Sequence, residues 1–181
     1  ASLKIQDAYI DVDITAQGSN CNMLSRNAED TEVHNVKIGG SISGKCHYSS
    51  ALIGSCNYRP ATISNVVLET EMNLPTSTAI GGICAQGSDQ LSTWNVSQVA
   101  NHISLTGQSY LGGFYGRLHK NALNFLSDSY FDGTLINVGG ANNAGGLIGS
   151  VTQDKSQFPE FEIKRAYVNA TFGGAFVSGV V

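Results

Sequence analysis

A pattern of apolar residues returns about every 30 positions along this 181-residue chain, and that return constrains the fold more than any single motif. Anchored on Ile5, Val33, Ile63, Val96, Leu126 and Ile163, successive copies lie 28, 30, 33, 30 and 37 residues apart. Nine residues beyond each anchor stand Ile14, Ile42, Met72, Leu105, Leu135 and Phe172. Five beyond stand Ile10, Ile38, Leu68, Asn101, Phe131 and Val168, apolar in all but Asn101. Three beyond, the residues are small or apolar: Ala8, Val36, Val66, Val99, Ser129 and Ala166. Six beyond come Asp11, Gly39, Glu69, His102, Asp132 and Asn169, and eight beyond come Asp13, Ser41, Glu71, Ser104, Thr134 and Thr171. Apolar and polar positions thus alternate over about seven residues, the period of a strand with one buried face.

The second half of each copy carries a glycine motif. It reads Gly81-Gly82-Ile83-Cys84-Ala85, Gly112-Gly113-Phe114-Tyr115-Gly116 and Gly145-Gly146-Leu147-Ile148-Gly149. Weaker copies are Ser50-Ala51-Leu52-Ile53-Gly54 and Cys21-Asn22-Met23-Leu24-Ser25, which places Met23, Leu52, Ile83, Phe114 and Leu147 in one column. A repeat of this length with two strands and no helical stripe predicts coils stacked into a single-stranded β-solenoid. Each coil hydrogen-bonds to the next at about 4.8 Å, so six coils starting near residues 5, 33, 63, 96, 126 and 163 make one domain over 1–181, roughly 29 Å tall. Small residues at the glycine columns let neighbouring coils approach at a bend.

Composition narrows the function classes. A net charge of −4 and a pI near 5.4 exclude a basic nucleic-acid-binding face. No apolar run approaches the roughly 20 residues of a membrane helix, so membrane insertion is not expected. The chain opens without Met or a signal-type segment, which reads as a processed mature protein or an excised fragment.

The glycine segment Asn142–Ser150, NNAGGLIGS, invites comparison with a phosphate loop. Such a loop needs a following helix whose N-terminal amides face the anion. The residues that follow, SVTQDKSQFPEFEI, contain a proline and no helical periodicity, and no Gly-Lys-Ser/Thr occurs. The glycines are therefore expected to be architecture. No cofactor is expected.

Paired carboxylates on an outer strand face would suit a polysaccharide-cleaving enzyme. Asp11, Asp13, Glu69, Glu71 and Asp132 fall on outward positions, but Asp11/Asp13 and Glu69/Glu71 lie two coils apart. They are read as a solvated face. His34, His47, His102 and His119 occupy different repeat positions and form no metal motif. Cys21, Cys46, Cys56 and Cys84 are even in number, spaced unlike a zinc or redox CxxC site, and confined to the first three coils. Two disulfides are expected, with Cys21–Cys46 and Cys56–Cys84 slightly favoured among three pairings because they tie neighbouring coils. Asn95 and Asn169 head glycosylation sequons, read as incidental. Tyr9, Tyr130 and Tyr167 share the outward position four beyond the anchor and are candidates for carbohydrate or protein binding.

The strand LSDSYFDGTL followed by NNAGGLIGS, with HISLTGQSYLGGFYG and STAIGGICAQG, resembles the GLUG repeat of bacterial surface and secreted proteins. The resemblance covers residues 60–180, and 1–59 more weakly because the first coil lacks the glycines. It implies a non-catalytic module of adhesin-like proteins and supplies no catalytic residues.

The first strand, SLKIQDAYIDVDIT, is in phase with the repeat, and the last stretch, FGGAFVSGVV, is apolar. Neither carries a cap. The expectation is a fragment of a longer array or a subunit that pairs end to end. In the second case Gly173, Gly174, Phe176, Val177, Val180 and Val181 add to a neighbour's first coil. The chain is thus expected to be an extracellular, non-enzymatic structural or adhesive repeat protein at a cell surface. Its expected partner is itself, in a pilus-like filament, or a host or cell-surface ligand. The alternative is a polysaccharide-active β-helix or a carbohydrate-binding module.

Overall fold

The computed structural model describes residues 2–27, 30–56, 59–87, 92–118, 122–139, 143–151, 161–174 and 177–180, with the side chains of 56, 92 and 122–124 outside that set. Nineteen strands and no helix are found among the described residues. They wind into a parallel β-solenoid whose turns are built from four ladders.

The first ladder stacks β1 (Leu3–Asn22), β3 (Thr31–Ser50), β5 (Ala61–Leu68), β9 (Ser92–Asn101), β13 (Ala122–Phe131) and β17 (Phe161–Val168). The second continues through the middle of β1 and β3 into β6 (Glu71–Leu74), β10 (Ser104–Gly107), β14 (Thr134–Asn137) and β18 (Thr171–Gly173). The third joins the ends of β1 and β3 to β7 (Ala79–Gly81), β11 (Leu111–Gly112), β15 (Ala144–Gly145) and β19 (Val177–Ser178). The fourth holds β2 (Ser25–Asn27), β4 (Ile53–Cys56), β8 (Cys84–Gly87), β12 (Tyr115–Leu118) and β16 (Ile148–Val151). Three ladders have six rungs and the fourth has five, so the chain makes five complete turns and most of a sixth. The first two turns have the two strands that the sequence pattern predicts, β1 with β2 and β3 with β4; from β5 onward each complete turn has four, because breaks at Glu69–Thr70, His102–Ile103 and Asp132–Gly133 and the glycine bends divide the extended run.

The predicted anchors are the residues the ladder pairs. Ile5 lies against Val33, Val33 against Ile63, Ile63 against Val96, Val96 against Leu126 and Leu126 against Ile163. The column nine residues on, from Ile14 through Ile42, Met72, Leu105 and Leu135 to Phe172, pairs in the same unbroken way. Inside, these columns form one core in which Ile38, Ile42, Leu52, Ile63, Leu68, Met72, Ile83 and Phe114 have no solvent exposure. Truncating one of the leucines or isoleucines to alanine removes its transfer energy and leaves a cavity, a cost of about 2–5 kcal/mol.

Alternation alone cannot bring both an anchor and the residue three beyond it into the core. The backbone solves this with an extra residue. Asp7, Asn35, Asn65, Gln98, Asp128 and Arg165, each two beyond its anchor, adopt left-handed conformations with φ between 49° and 54°. A left-handed residue inserted into the strand re-aims the next side chain, so Val36, Val66 and Val99 turn inward beside Val33, Ile63 and Val96. Asn and Asp tolerate this region better than other non-glycine residues, and they fill four of the six positions.

The first copy of the glycine motif is shifted by one residue from the sequence alignment. Leu24, not Met23, stands in the Leu52 column, since Asn22 pairs with Ser50 and Ser25 with Ile53. The reason is mechanical: β1 and β3 are continuous 20-residue strands held at one offset along their length, and the offset carries into β2 and β4.

The glycine columns are close-approach points. A Cβ on Gly113 would collide with the Gly146 carbonyl oxygen and come within 2.7 Å of the Phe131 ring. Amides at this bend are consumed between rungs: Gly82 donates to the Gly113 oxygen at 3.0 Å, Gly113 to Gly146 at 3.2 Å, and Gly146 to Ser178 at 3.1 Å. Buried Asn101, the one polar member of its column, fastens the same bend: its side-chain nitrogen donates to the Gly113 oxygen at 2.5 Å, and its oxygen accepts from the Ile103 amide at 3.2 Å. Gly81, Gly112, Gly116, Gly145 and Gly149 flank these contacts, each buried. No amide of the Gly82, Gly113, Gly146 column is left for a phosphate.

Cys21 and Cys46 form a disulfide with their Cα atoms 6.1 Å apart, tying the first rung to the second. Cys84 is also disulfide-bonded. The side chain of Cys56, its expected partner, lies outside the described residues.

Candidate ligand-binding face

The outer surface of the first ladder carries three parallel columns of side chains. Its centre is the position four beyond each anchor, where Tyr9, Lys37, Val67, Ala100, Tyr130 and Tyr167 stack in register. Tyr9 and Tyr167 are 64% and 63% exposed, Tyr130 37%. All three predicted tyrosines therefore face outward, with Val67 and Ala100 as a low floor between the first and the last two.

To one side run the left-handed residues. The Asn35 side-chain nitrogen donates to the Asp7 carboxylate at 2.5 Å, and Asn65 donates to the Asn35 oxygen at 3.0 Å. Arg165 closes the far end of this column with a two-pronged ion pair to Asp128, which holds the Asp128 carboxyl below its ordinary range. Sequence reasoning missed this column, although a polar residue sits two beyond every anchor.

To the other side run Asp11, Gly39, Glu69, His102, Asp132 and Asn169. Three of the expected outward carboxylates, Asp11, Glu69 and Asp132, are here, and each has a partner. The Tyr9 hydroxyl donates to Asp11 at 2.9 Å, which pushes the Tyr9 phenol up. Lys37 pairs with Glu69 at 2.7 Å, and that hydrogen bond raises the Lys37 ammonium. Ser41 donates to Asp13 at 2.6 Å. Glu71 is exposed in the next column, two rungs from Asp13 as the spacing implied. These carboxylates are not paired with one another.

His102 does gather partners. Its Nδ1 is bonded to Asp132, its Nε2 lies 3.1 Å from the Tyr130 hydroxyl, and the His102 and Tyr130 rings meet edge to face. With Nδ1 donating to the carboxylate, Nε2 accepts a hydrogen bond from the Tyr130 hydroxyl, which makes a chain of three polar groups on the outer face. His34 instead meets Ser64 at 2.9 Å, and the His47 carbonyl accepts from Thr78. His119 lies outside the described residues. Among the described residues no group of three or more His, Cys, Asp and Glu is placed to hold a metal. Asn95 and Asn169 of the sequons are both exposed.

The end faces form a second surface. Inward side chains of the first rung (Ile5, Ile10, Ile14) and of the last (Val168, Ala170, Phe172) are only partly buried. At the last rung an apolar depression of about 490 Å³ opens between Leu147, Ile163, Val168, Phe172 and Val180. Of the residues expected to self-associate, Gly173 ends β18, Gly174 turns at φ 106°, and Val177 pairs with Ala144. Val180 accepts the Leu147 and Ile148 amides through its carbonyl, with its side chain 46% exposed. This segment is seated on its own chain by one edge. Phe176 and Val181 lie outside the described residues, as does Asn142 of the glycine segment.

The fold and this face define a parallel β-solenoid with a patterned outer sheet. Compared with models of protein families, with characterised proteins and with solved structures, the chain matches none. Among the described residues no helix is long and apolar enough to cross a membrane.

Proposed function

We propose that this chain is an extracellular structural and adhesive module, non-enzymatic, whose solenoid continues end to end onto a second copy to build a pilus-like filament at a cell surface. The GLUG-repeat resemblance belongs to the same reading. One observation carries it: among the described residues the first and last rungs pair along one edge each, over partly buried core columns, Ile5, Ile10 and Ile14 in one and Val168 and Phe172 in the other. Edges of this kind template further strand pairing. The Cys21–Cys46 disulfide is the sort of bond that persists in oxidising compartments, which supports a secreted setting. Sedimentation velocity over a range of concentrations tests the reading. Association that rises with concentration and is abolished by Phe172→Lys supports it; a single monomer boundary at millimolar protein removes it.

A second reading rests on the chain Tyr130–His102–Asp132, which has the groups for acid–base work on a bound polysaccharide. Release of reducing ends or unsaturated sugars by the native chain, lost in His102→Ala, would establish it. Equal release by the variant would reject it.

A further inference from the structure

The left-handed residue in each rung does more than re-aim the core. It leaves a crease between its own column and the tyrosine column, and over the first three rungs the crease widens to a depression of about 360 Å³. One wall is Asp7, Asn35 and Asn65; the other is Tyr9, Lys37 and Val67, with Ala8 and Val36 beneath.

We infer that this crease is a binding site for a linear, neutral polysaccharide lying along the solenoid axis. Three properties of the walls select that ligand. Each amide of the Asn35–Asn65 ladder spends one N–H on the rung before it and keeps a second N–H for a ligand, a pattern suited to hydroxyl groups, which both donate and accept. Opposite stands the exposed Tyr9 ring, its hydroxyl fixed on Asp11 and the Lys37 ammonium 6.0 Å from its centroid, so the ring is held in place and its other face can lie against a pyranose ring. The two amides stand one rung apart, about 4.8 Å, so a chain lying along the axis meets the same group twice.

Charge excludes the acidic polysaccharides. Lys37 is paired with Glu69, and Asp7 lines the crease with no cation bonded to it among the described residues, so a polyanion meets the Asp7 carboxylate and no unpaired cation. Beyond Val67 and Ala100 the low floor leads to Tyr130 and Tyr167, a second aromatic platform on the same line. The inference is independent of end-to-end assembly, since a monomer keeps the face intact.

Affinity electrophoresis in native gels tests it, with hydroxyethyl cellulose, galactomannan or arabinoxylan cast in the gel as neutral probes and polygalacturonate as the acidic one. Retardation by at least one neutral probe and not by polygalacturonate is expected. Tyr9→Ala should weaken the apparent affinity at least about tenfold, and Tyr9→Phe, which keeps the ring, less than about threefold. Asn35→Ala combined with Asn65→Ala should also weaken it; since left-handed alanine costs stability, Asn35→Gly with Asn65→Gly serves as the same test with the backbone relieved. Retardation by polygalacturonate alone, no retardation by any neutral probe, or full binding by Tyr9→Ala overturns the proposal.

Discussion

Asn65 donates a side-chain hydrogen bond to Asn35 one rung away at 3.0 Å, while both residues hold a left-handed backbone, φ 52° and 54°. The two facts are linked. A short amide side chain tolerates that backbone, and once there it stands over its counterpart in the next rung. Replacing Asn65 by valine forces a β-branched residue into the left-handed region and removes the amide ladder. A loss of about 1–3 kcal/mol is expected, against a few tenths for Asn65→Gly, read by urea denaturation.

The glycine bends separate into those that need glycine and those that do not. Gly113→Ala drives a methyl into the Gly146 carbonyl and the Phe131 ring, so loss of about 3 kcal/mol or failure to fold is expected. Gly18, with nothing within 4 Å of a built Cβ, should accept alanine with no loss, or with a gain of about 0.4–1 kcal/mol. Paired thermal melts of the two variants check the contrast.

Reduction of the Cys21–Cys46 bond frees a loop of 25 residues in the unfolded chain. The chain-entropy account gives a loss of about 3–4 kcal/mol for Cys21→Ser with Cys46→Ser. Non-reducing peptide mapping should show the two cysteines in one linked species.

Tyr115 is fully buried, its hydroxyl has no hydrogen-bond partner among the described residues, and burial pushes its phenol well above the ordinary value. Because the folded pKa exceeds the unfolded value near 10, the neutral form is the one folding favours. Stability tied to this group is complete below about pH 10 and falls as pH rises beyond it. Tyr115→Phe should flatten that alkaline loss. At neutral pH it should leave stability unchanged or raise it by about 1 kcal/mol, because an unsatisfied buried hydroxyl is removed while the edge-to-face packing on Phe161 stays. Thermal midpoints of both proteins from pH 7 to 11 decide the point.

The fold was legible because its information lies in columns. Ile5 to Ile163 and Ile14 to Phe172 are spaced so regularly that the register follows from apolar identity alone. The glycine motif was equally clear where Gly112-Gly113 and Gly145-Gly146 stand, and misaligned by one at Met23, where no glycine marks the bend. What stayed hidden were conformations. Nothing in Gln98 or Arg165 as residues announces a left-handed backbone; only their shared place two beyond the anchors does, and that column mixes acids, amides and a base. His102 and Asp132 shared a column from the start, but the contact to Tyr130 depends on side-chain direction, which spacing does not specify.

Electron microscopy of the concentrated chain addresses the central claim most directly. End-to-end continuation predicts unbranched fibres one solenoid wide, lost in Phe172→Lys, with a diffraction spacing of about 4.8 Å along the fibre axis because rungs stack in that direction. Fibres that form equally well with Phe172→Lys, or a field of single particles at every concentration, would contradict it.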